Sequence, residues 1–334
     1  MRLKGKISSS LKILNFILLE KRSPVAARIN LNNRCAYRCT YCNVWNTPTK
    51  EMTTKEVFSL IDQLKKLGTE RISISGGEPM LRKDIGKIIS YCKKQKISTD
   101  MNTTGFAFDR RIGEIRDLDL IKFSLDGNEE SHDPVRGKGT FRKTMNSIEI
   151  ACKNKMKFSF AATLTRKSTN VENIDFLLQL SKRYNTFTAF QPLKEMHKGV
   201  KDISHLAPEK EQYKEAIHFL IAKKKEKAWA KHIRNSLQGL LHIEDWPRYK
   251  QLKCHAGDIF IIIQPNGDII PCDRIKDTYK EPIPNFLDQG LENSFNSLPK
   301  VHCSGCGFCG ALELNFISNK VIDVIPEIRR VVSR

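Results

Sequence analysis

The feature that most constrains the fold is a regular alternation of short β-rich runs with amphipathic helical runs between residues 25 and 191. The first helical run, Thr53–Leu67, has apolar residues at helical spacing, and Thr53 with Glu56 predicts a capping box at its start. Strand–helix units in succession predict parallel strands joined by right-handed crossovers. The predicted strands are Val25–Leu31, Arg71–Ser75, Ile97–Asn102, Leu120–Leu125, Phe158–Leu164 and Phe187–Gln191.

These six units are fewer than the eight that close a full barrel. The sequence therefore predicts an α/β fold built on a partial (β/α)6 TIM-like barrel, with an open doubly wound sheet as the alternative. Three further amphipathic runs fit the helices that cover such a sheet. They are Asp84–Lys94, Thr140–Lys153 and Asn170–Tyr184.

Changes in residue composition and hydrophobic pattern divide the chain into an N-terminal segment, the barrel, a linker, a Cys-rich domain and a tail. Two apolar runs, Asp258–Gln264 and Asp268–Pro271, flank the turn residues Pro265-Asn266-Gly267 and predict a β-hairpin in the Cys-rich domain. The predicted segments are 1–23 (basic and amphipathic), 24–207 (partial barrel), 208–250 (helical linker), 251–312 (Cys-rich hairpin and helix domain) and 313–334 (C-terminal amphipathic helix).

The composition is that of an ordinary globular protein, which excludes a disordered chain and a polytopic membrane protein. With 57 Lys and Arg against 37 Asp and Glu, the net charge of +20 predicts attraction to an anionic partner, although solvated lysine-rich helix faces are the simpler interpretation. The apolar run Ile13–Leu19 has only seven residues and is followed at once by Glu20-Lys21-Arg22, charges that a signal peptide should not have there. We therefore expect a cytoplasmic protein with reduced thiols. The segment Leu11–Leu19 either packs on the domain or contacts the inner face of the membrane.

The first cysteine group is Cys35, Cys39 and Cys42, which follow the first strand with the spacing C-x3-C-x2-C. Three thiolates within eight residues can converge on one metal centre. Zinc in structural sites prefers four protein ligands, and no fourth Cys or His lies nearby in the sequence. Three cysteines on a four-iron cluster would leave one iron open to a substrate.

Further motifs follow the next three strands. Gly76-Gly77-Glu78-Pro79 follows the second, Asn102-Thr103-Thr104-Gly105 the third, and Ser124-Leu125-Asp126-Gly127 the fourth, with Arg136 shortly after it. Every motif therefore falls at the carboxyl end of a strand, where parallel α/β folds build their sites. Adjacent glycines let a backbone approach a ligand closely, and the Glu78 carboxylate can accept hydrogen bonds from an ammonium group.

This combination resembles the radical S-adenosylmethionine (radical SAM) superfamily, in particular the SPASM or twitch branch with a C-terminal auxiliary iron–sulfur domain. The resemblance implies a [4Fe-4S] cluster on Cys35, Cys39 and Cys42. It also implies S-adenosylmethionine as cofactor, its amino group at the segment Gly76, Gly77, Glu78, Pro79. Asn102 would close the cofactor site at the third strand. By the same resemblance Ser124 would contact the ribose, Arg136 the methionine carboxylate and Tyr41 the adenine. Asp126 would support the site as a structural residue rather than act as a base.

A second cysteine group lies near the C-terminus. Cys254, Gly267 and Cys272 follow the pattern C-x12-G-x4-C, and Cys303, Cys306 and Cys309 supply two C-x2-C steps. By resemblance to the auxiliary domain we expect one further [4Fe-4S] cluster, held by Cys254, Cys272, Cys303 and either Cys306 or Cys309. A zinc ribbon is the structural alternative. The remaining cysteines, Cys92 and Cys152, are expected in the core.

The resemblance implies reductive cleavage of S-adenosylmethionine to a 5′-deoxyadenosyl radical that abstracts a substrate hydrogen, driven by a reductant such as ferredoxin or flavodoxin. The expected substrate is a peptide or protein side chain, and the alternative is an anionic small molecule or lipid. A non-enzymatic zinc or iron–sulfur nucleic-acid-binding module is a lesser alternative. It lacks support because no basic stripe with interleaved aromatics occurs in the sequence. No substrate-side acid or base is assigned.

Overall fold

The computed structural model describes residues 22–193, 202–273, 282–301, 306–316 and 318. Residues 1–21 of the predicted N-terminal segment, Cys303 and most of the predicted C-terminal helix lie outside the described residues. Within the described ranges, no helix is both long enough and apolar enough to cross a bilayer.

A single eight-stranded sheet forms the centre of the described part of the chain, in the order β6-β5-β4-β3-β2-β1-β7-β8. The first six strands are parallel and pair in sequence order, which confirms the predicted succession of strand–helix units. The sheet is not closed, so the partial barrel is also confirmed. The strands are β1 Ala26–Asn30, β2 Arg71–Ser75, β3 Ser98–Thr103, β4 Leu120–Ser124, β5 Phe158–Leu164, β6 Thr188–Pro192, β7 Phe260–Ile263 and β8 Ile269–Ile270.

Helices connect the strands and cover the outer face of the sheet. The capping box is confirmed, since Thr53 Oγ1 accepts the Glu56 N–H at 3.3 Å and Glu56 Oε2 accepts the Thr53 N–H at 2.6 Å. The helices are α1 Thr54–Lys66, α2 Ile85–Lys94, α3 Phe108–Arg111, α4 Glu129–Arg136, α5 Thr140–Lys153, α6 Val171–Arg183, α7 Lys210–Lys225, α8 Lys227–Ala230, α9 Leu237–Ile243, α10 Phe286–Gln289, α11 Leu291–Asn296 and α12 (309–316). Short 3-10 turns cover Val44–Asn46, Pro79–Leu81, Ile112–Ile115 and Ser204–Leu206.

The two faces of the sheet differ in chemistry because side chains alternate along each strand. Ile72 and Ile74 of β2 are fully buried against the helices. On the opposite, inner face Asp100 accepts hydrogen bonds from Ser73 Oγ at 2.6 Å and Arg71 Nε at 2.7 Å, and it also contacts Lys122 Nζ. The barrel therefore has an apolar outer core and a polar interior.

The predicted C-terminal hairpin is present, with β7 antiparallel to β8. The sequence did not anticipate its attachment, because β7 pairs parallel with β1 and so extends the barrel sheet. The chain that follows the hairpin returns to the opposite edge of the sheet, at β6. There the Gln191 amide of β6 donates to the Gly307 carbonyl at 2.6 Å and accepts the Cys309 N–H at 2.9 Å. The Phe308 ring lies under the Arg28 guanidinium of β1 at 4.5 Å. The Cys-rich segment thus contacts both β1 and the open edge at β6.

Candidate functional site

The three cysteines of the first group lie in the loop after β1, and all three thiols are free. The loop is fixed by a hydrogen bond from the Thr40 N–H to the Val135 carbonyl at 2.8 Å, and by one from the Cys42 N–H to the Cys39 carbonyl at 3.0 Å. The three cysteines pack in one apolar cluster with Tyr37, Tyr41, Val135, Leu193 and Ile203. The structure therefore brings these thiols to one buried region.

Burial keeps the thiols of Cys35 and Cys39 in their neutral form. Burial raises the pKa of Cys35 to about 11, and burial raises that of Cys39 to about 12 against the opposing charge of Arg136. A bound metal centre would supply the positive charge that stabilises thiolates. The Tyr37 N–H points at Cys35 Sγ at 3.4 Å, a hydrogen bond to sulfur of the type that surrounds iron–sulfur clusters.

The spacing between ligands differs between a single metal ion and a four-iron cluster. Within the described ranges, no three His, Cys, Asp or Glu side chains are grouped tightly enough for one metal ion. Thiolates on a single zinc ion lie within about 4 Å of one another, since each Zn–S bond is about 2.3 Å. A four-iron cluster holds its cysteines farther apart because each sulfur binds a different iron. The described residues therefore form no compact group of ligands for a single ion.

Gly76 and Gly77 allow the turn after β2 to lie directly on the start of the cysteine loop. The Gly77 N–H donates to the Asn32 carbonyl and the Glu78 N–H to the Arg34 carbonyl, both at 2.7 Å. A Cβ on Gly77 would lie 2.2 Å from the Arg34 carbonyl oxygen, and one on Gly76 would lie 2.3 Å from that of Asn32. At these two glycines the backbone of the turn after β2 therefore lies directly against the backbone of the cysteine loop.

Glu78 is fully buried, and the protein supplies its hydrogen-bond donors. Oε1 accepts from Thr103 Oγ1 at 2.8 Å and from the Met80 N–H at 3.1 Å, while Oε2 accepts from the Thr104 N–H at 2.7 Å and from Thr104 Oγ1 at 2.6 Å. Burial raises the pKa of Glu78, and these hydrogen bonds oppose the rise. An ionised carboxylate has about four acceptor positions, so this one is fully engaged and ties the end of β2 to the end of β3. Pro79 begins the short 3-10 turn Pro79–Leu81, which Glu78 caps.

The two threonines that hold Glu78 were missed as site residues by the sequence analysis. Their signal was available, because Thr103 and Thr104 belong to the motif from which only Asn102 was chosen. Asn102 and Ser124 lie at the ends of β3 and β4 and are partly buried. In the described part of the chain neither side chain makes a hydrogen bond, so both polar groups are available to a ligand.

Asp126 and Arg136 form a buried bidentate pair at the end of β4. Arg136 Nε donates to Asp126 Oδ2 at 2.6 Å and its Nη2 donates to Oδ1 at 2.9 Å. Asp126 Oδ1 also accepts the Thr163 N–H of β5 at 2.8 Å. The remaining guanidinium nitrogen, Nη1, lies 4.0 Å from Cys39 Sγ. Asp126 therefore orients Arg136 so that the nitrogen that Asp126 does not bind faces the cysteine site.

Tyr41 completes this buried group. Its ring lies 5.5 Å from the Arg136 guanidinium, and its hydroxyl lies 3.4 Å from Asp126 Oδ2. Burial raises the pKa of Tyr41 well above its usual value, so the phenol is neutral. The contribution of Thr163 was missed by the sequence analysis. No local signal marks it, since only the pairing of β4 with β5 brings it to Asp126.

The second cysteine group divides in two. Cys254, Cys272 and Cys306 pack in one apolar cluster with Ala256, Ile259, Phe260 and Ala311. The Phe308 N–H points at Cys306 Sγ at 3.3 Å, which repeats the arrangement at Cys35. Cys309 lies apart from that cluster, where the Asn235 amide donates to its Sγ at 3.4 Å and burial raises its pKa to about 12. Cys306, rather than Cys309, thus lies with the other described cysteines.

The two cysteines expected in the core differ. Cys92 is fully buried on α2, as predicted. Cys152 is exposed, so that prediction was wrong. The buried stripe of α5 runs through Thr144, Ser147, Ile148 and Ala151, and Cys152 lies about 100° farther around the helix than Ala151.

Known proteins resemble this chain in sequence and in fold. Residues 29–179 match the family model described as the radical SAM superfamily. Mycofactocin maturase MftC of Mycolicibacterium smegmatis is 24% identical over 308 residues, which are 86% of this chain and 76% of the relative. The antilisterial bacteriocin subtilosin biosynthesis protein AlbA of Bacillus subtilis is 24% identical over 326 residues, 89% of this chain and 69% of the relative.

Among solved structures, Streptococcus suis SuiB bound to S-adenosylmethionine superimposes with a TM-score of 0.66 at 17% identity, over 84% of this chain and 67% of SuiB. The same protein bound to precursor peptide SuiA gives a TM-score of 0.62 at 16% identity, over 82% of this chain and 65% of SuiB. These likenesses establish a shared fold.

Proposed function

This chain belongs to the radical SAM superfamily and is a radical SAM enzyme, and from that premise we propose that it modifies a peptide at the site formed by the loops after β1 to β4. The observation that carries this proposal is the convergence at one end of the barrel. The three free thiols, the buried Glu78 with its threonines, and the Asp126–Arg136 pair all lie at the carboxyl ends of adjacent strands.

Cys35, Cys39 and Cys42 would hold a [4Fe-4S] cluster. When bound, the cluster and S-adenosylmethionine supply a reductive cleavage that yields methionine and a 5′-deoxyadenosyl radical able to take a hydrogen atom from a substrate. The protein supplies orientation and exclusion of water. Tyr41 and Val135 pack against the cysteines and exclude solvent from them.

We assign the binding of S-adenosylmethionine to the residues around the thiols. Arg136 would bind the methionine carboxylate through Nη1, because its other nitrogens are held by Asp126. Asn102 and Ser124 would donate to the ribose, since their polar groups are free and lie at the ends of neighbouring strands. Tyr41 would line the adenine side. The amino group would contact the backbone of the segment Gly76–Pro79, because the Glu78 oxygens already accept four hydrogen bonds.

The peptide substrate is supported by two facts. MftC, AlbA and SuiB are a maturase, a bacteriocin biosynthesis protein and a protein solved with a precursor peptide. The net charge of +20 also favours an anionic partner, and an acidic precursor peptide meets that requirement.

The experiment is to reconstitute the protein with iron and sulfide without oxygen, add dithionite and S-adenosylmethionine, and measure 5′-deoxyadenosine. The wild type should release it, and Cys39→Ala should abolish the release. Cys152→Ala is the matched control, because this thiol is exposed and remote in sequence from the loop. Equal release by Cys39→Ala would overturn the assignment of the cluster. Incubation with a candidate acidic peptide carrying deuterium should then transfer the label into 5′-deoxyadenosine, and failure of all peptides alongside label transfer from a small anion would contradict the peptide substrate.

We further propose one auxiliary [4Fe-4S] cluster held by Cys254, Cys272, Cys303 and Cys306. The shared apolar cluster of Cys254, Cys272 and Cys306 supports this choice over one that includes Cys309. The Asn315 amide lies 3.6 Å from Cys254 Sγ, and the Phe308 N–H lies 3.3 Å from Cys306 Sγ. Such donors stabilise sulfur that carries negative charge. The auxiliary cluster would lie against Phe260 of β7 and so beside the barrel sheet.

A further inference from the structure

The cysteine loop has a buried side and a solvent side. Cys39 and Tyr41 are buried, whereas Arg38 and Thr40, which alternate with them, are exposed. Trp45, just past the last cysteine, is one of the few large apolar side chains that remain exposed in the described part of the chain, at 36%. We call the exposed side chains of Arg34, Arg38, Thr40, Trp45 and Lys50 the Arg38–Trp45 face.

Two members of this face contact the backbone of the cysteines. The Arg38 guanidinium stacks on the Trp45 ring at 4.2 Å and donates to the Cys35 carbonyl at 2.6 Å. The Trp45 indole N–H donates to the Cys42 carbonyl at 3.1 Å. One exposed stacked pair therefore lies one hydrogen bond away from the first and last cysteines of the loop, which makes it a short path from solvent to the metal centre.

The charge of the face is positive. Arg34 pairs with Glu51 at 2.7 Å, but among the described residues no carboxylate lies within ion-pair distance of Arg38 or Lys50. Arg and Trp are also the residue types enriched at protein interfaces and at the points that dominate their energetics. The face therefore combines two cations that form no ion pair among the described residues, Arg38 and Lys50, with an exposed aromatic side chain.

From these observations we infer that the Arg38–Trp45 face docks an acidic one-electron carrier protein. This inference rests on the proposed function, because that function needs one external electron for each reductive cleavage. In the docked complex the carrier is oxidised by one electron and the centre on Cys35, Cys39 and Cys42 is reduced by one, with no bond made or broken in either protein. Complementary charge raises the association rate of such transient complexes.

The test uses a reduced flavodoxin of net negative charge as the probe, with dithionite in parallel, and measures 5′-deoxyadenosine release by the reconstituted full chain. Arg38→Glu reverses the central charge. The double variant Thr40→Glu/Lys50→Glu lowers the formal charge of the five side chains of the face from +3 to zero. It leaves the Arg38–Trp45 stack and its hydrogen bonds to the cysteine carbonyls intact. Lys225→Glu, at an equally exposed lysine at the end of α7, is the matched control.

We expect both face variants to raise the KM for flavodoxin by about tenfold at low salt and to approach the wild type at high salt, since screening weakens exposed charge pairs. The dithionite-driven rate and iron content of the double variant should equal those of Lys225→Glu. Arg38→Glu also loses the hydrogen bond to the Cys35 carbonyl, so its flavodoxin-driven rate is compared with its own dithionite-driven rate. An unchanged KM for flavodoxin in the double variant overturns the inference, and so does an equal loss of the flavodoxin- and dithionite-driven rates. A wild type that releases 5′-deoxyadenosine with dithionite but not with flavodoxin also contradicts it. A wild type inactive with dithionite instead contradicts the proposed function.

Discussion

Asp126 holds Arg136 through two buried hydrogen bonds and leaves one guanidinium nitrogen 4.0 Å from the sulfur of Cys39. The side chains of this pair are 7% exposed for Arg136 and fully buried for Asp126. The donors of a planar guanidinium form a rigid fork, so a carboxylate that holds two of its nitrogens also fixes the position of the third. The pair therefore links the fold of the barrel to the placement of a ligand carboxylate beside the cysteines.

Asp126→Asn should lower the free energy of unfolding by roughly 3–5 kcal/mol, because it leaves a buried guanidinium without its counter-charge. It should also raise the KM for S-adenosylmethionine by about tenfold. Denaturant unfolding and steady-state kinetics measure the two effects. The control is Glu129→Gln at the exposed Arg142–Glu129 pair, where a loss of less than about 1 kcal/mol is expected. A destabilised Asp126→Asn protein with an unchanged KM would assign Asp126 a purely structural role.

Gly77→Ala should displace the cysteine loop, because the new Cβ would lie 2.2 Å from the Arg34 carbonyl oxygen, which belongs to the backbone and cannot rotate away. We expect the iron bound at the first site to fall to less than about half of the wild-type amount. Gly113→Ala is the matched control, since a Cβ there meets no atom within 4 Å. Iron analysis and thermal unfolding distinguish the two variants, and wild-type iron in Gly77→Ala would show that the loop tolerates the shift.

Cys306→Ala and Cys309→Ala should differ in iron content when each is introduced into the Cys35/39/42→Ala variant, which leaves only the auxiliary site. Cys309→Ala should retain about four irons per chain, because Cys309 is hydrogen-bonded to Gln191 and Asn235 and does not lie among the other described cysteines. Cys306→Ala should lose most of them. The reverse order would make Cys309 the ligand, and zinc in place of iron would favour the ribbon.

His132 should make stability depend on pH near neutrality. Burial, assisted by the charge of Arg136, lowers its pKa to about 4, and its Nδ1 accepts the Asp126 N–H at 3.2 Å. The unfolded chain takes up this proton near pH 6.5 and the folded chain only near pH 4, so the free energy of unfolding falls as the pH drops through this window.

Between pH 7.5 and 5.5 this contribution amounts to about 1 kcal/mol. His132→Gln keeps an acceptor for the Asp126 N–H and does not titrate, so its stability should fall less than that of the wild type over the same range. Denaturant unfolding at both pH values provides the measurement. His218→Gln is the control, because His218 is exposed beside Glu244. Identical pH dependence in His132→Gln and the wild type would refute the prediction.

The sequence alone determined the elements and their order. The alternation of apolar residues placed the first six strands within two residues of their observed ends, and Thr53 with Glu56 marked the start of α1. These features are local, because they depend on residues close in the chain. The motifs at the strand ends were likewise visible, since a parallel arrangement brings successive carboxyl ends to one edge.

Only the tertiary structure decided which side chains meet. It joined Glu78 to Thr103 and Thr104, Asp126 to Arg136 and Thr163, and Cys306 rather than Cys309 to Cys254 and Cys272. It also attached the C-terminal hairpin to β1. Each of these contacts depends on which residues of two separate segments become neighbours, and the hydrophobic periodicity within one segment does not identify its neighbours in another. The sequence therefore identified the chemistry of the site, and the packing of the barrel determined its geometry.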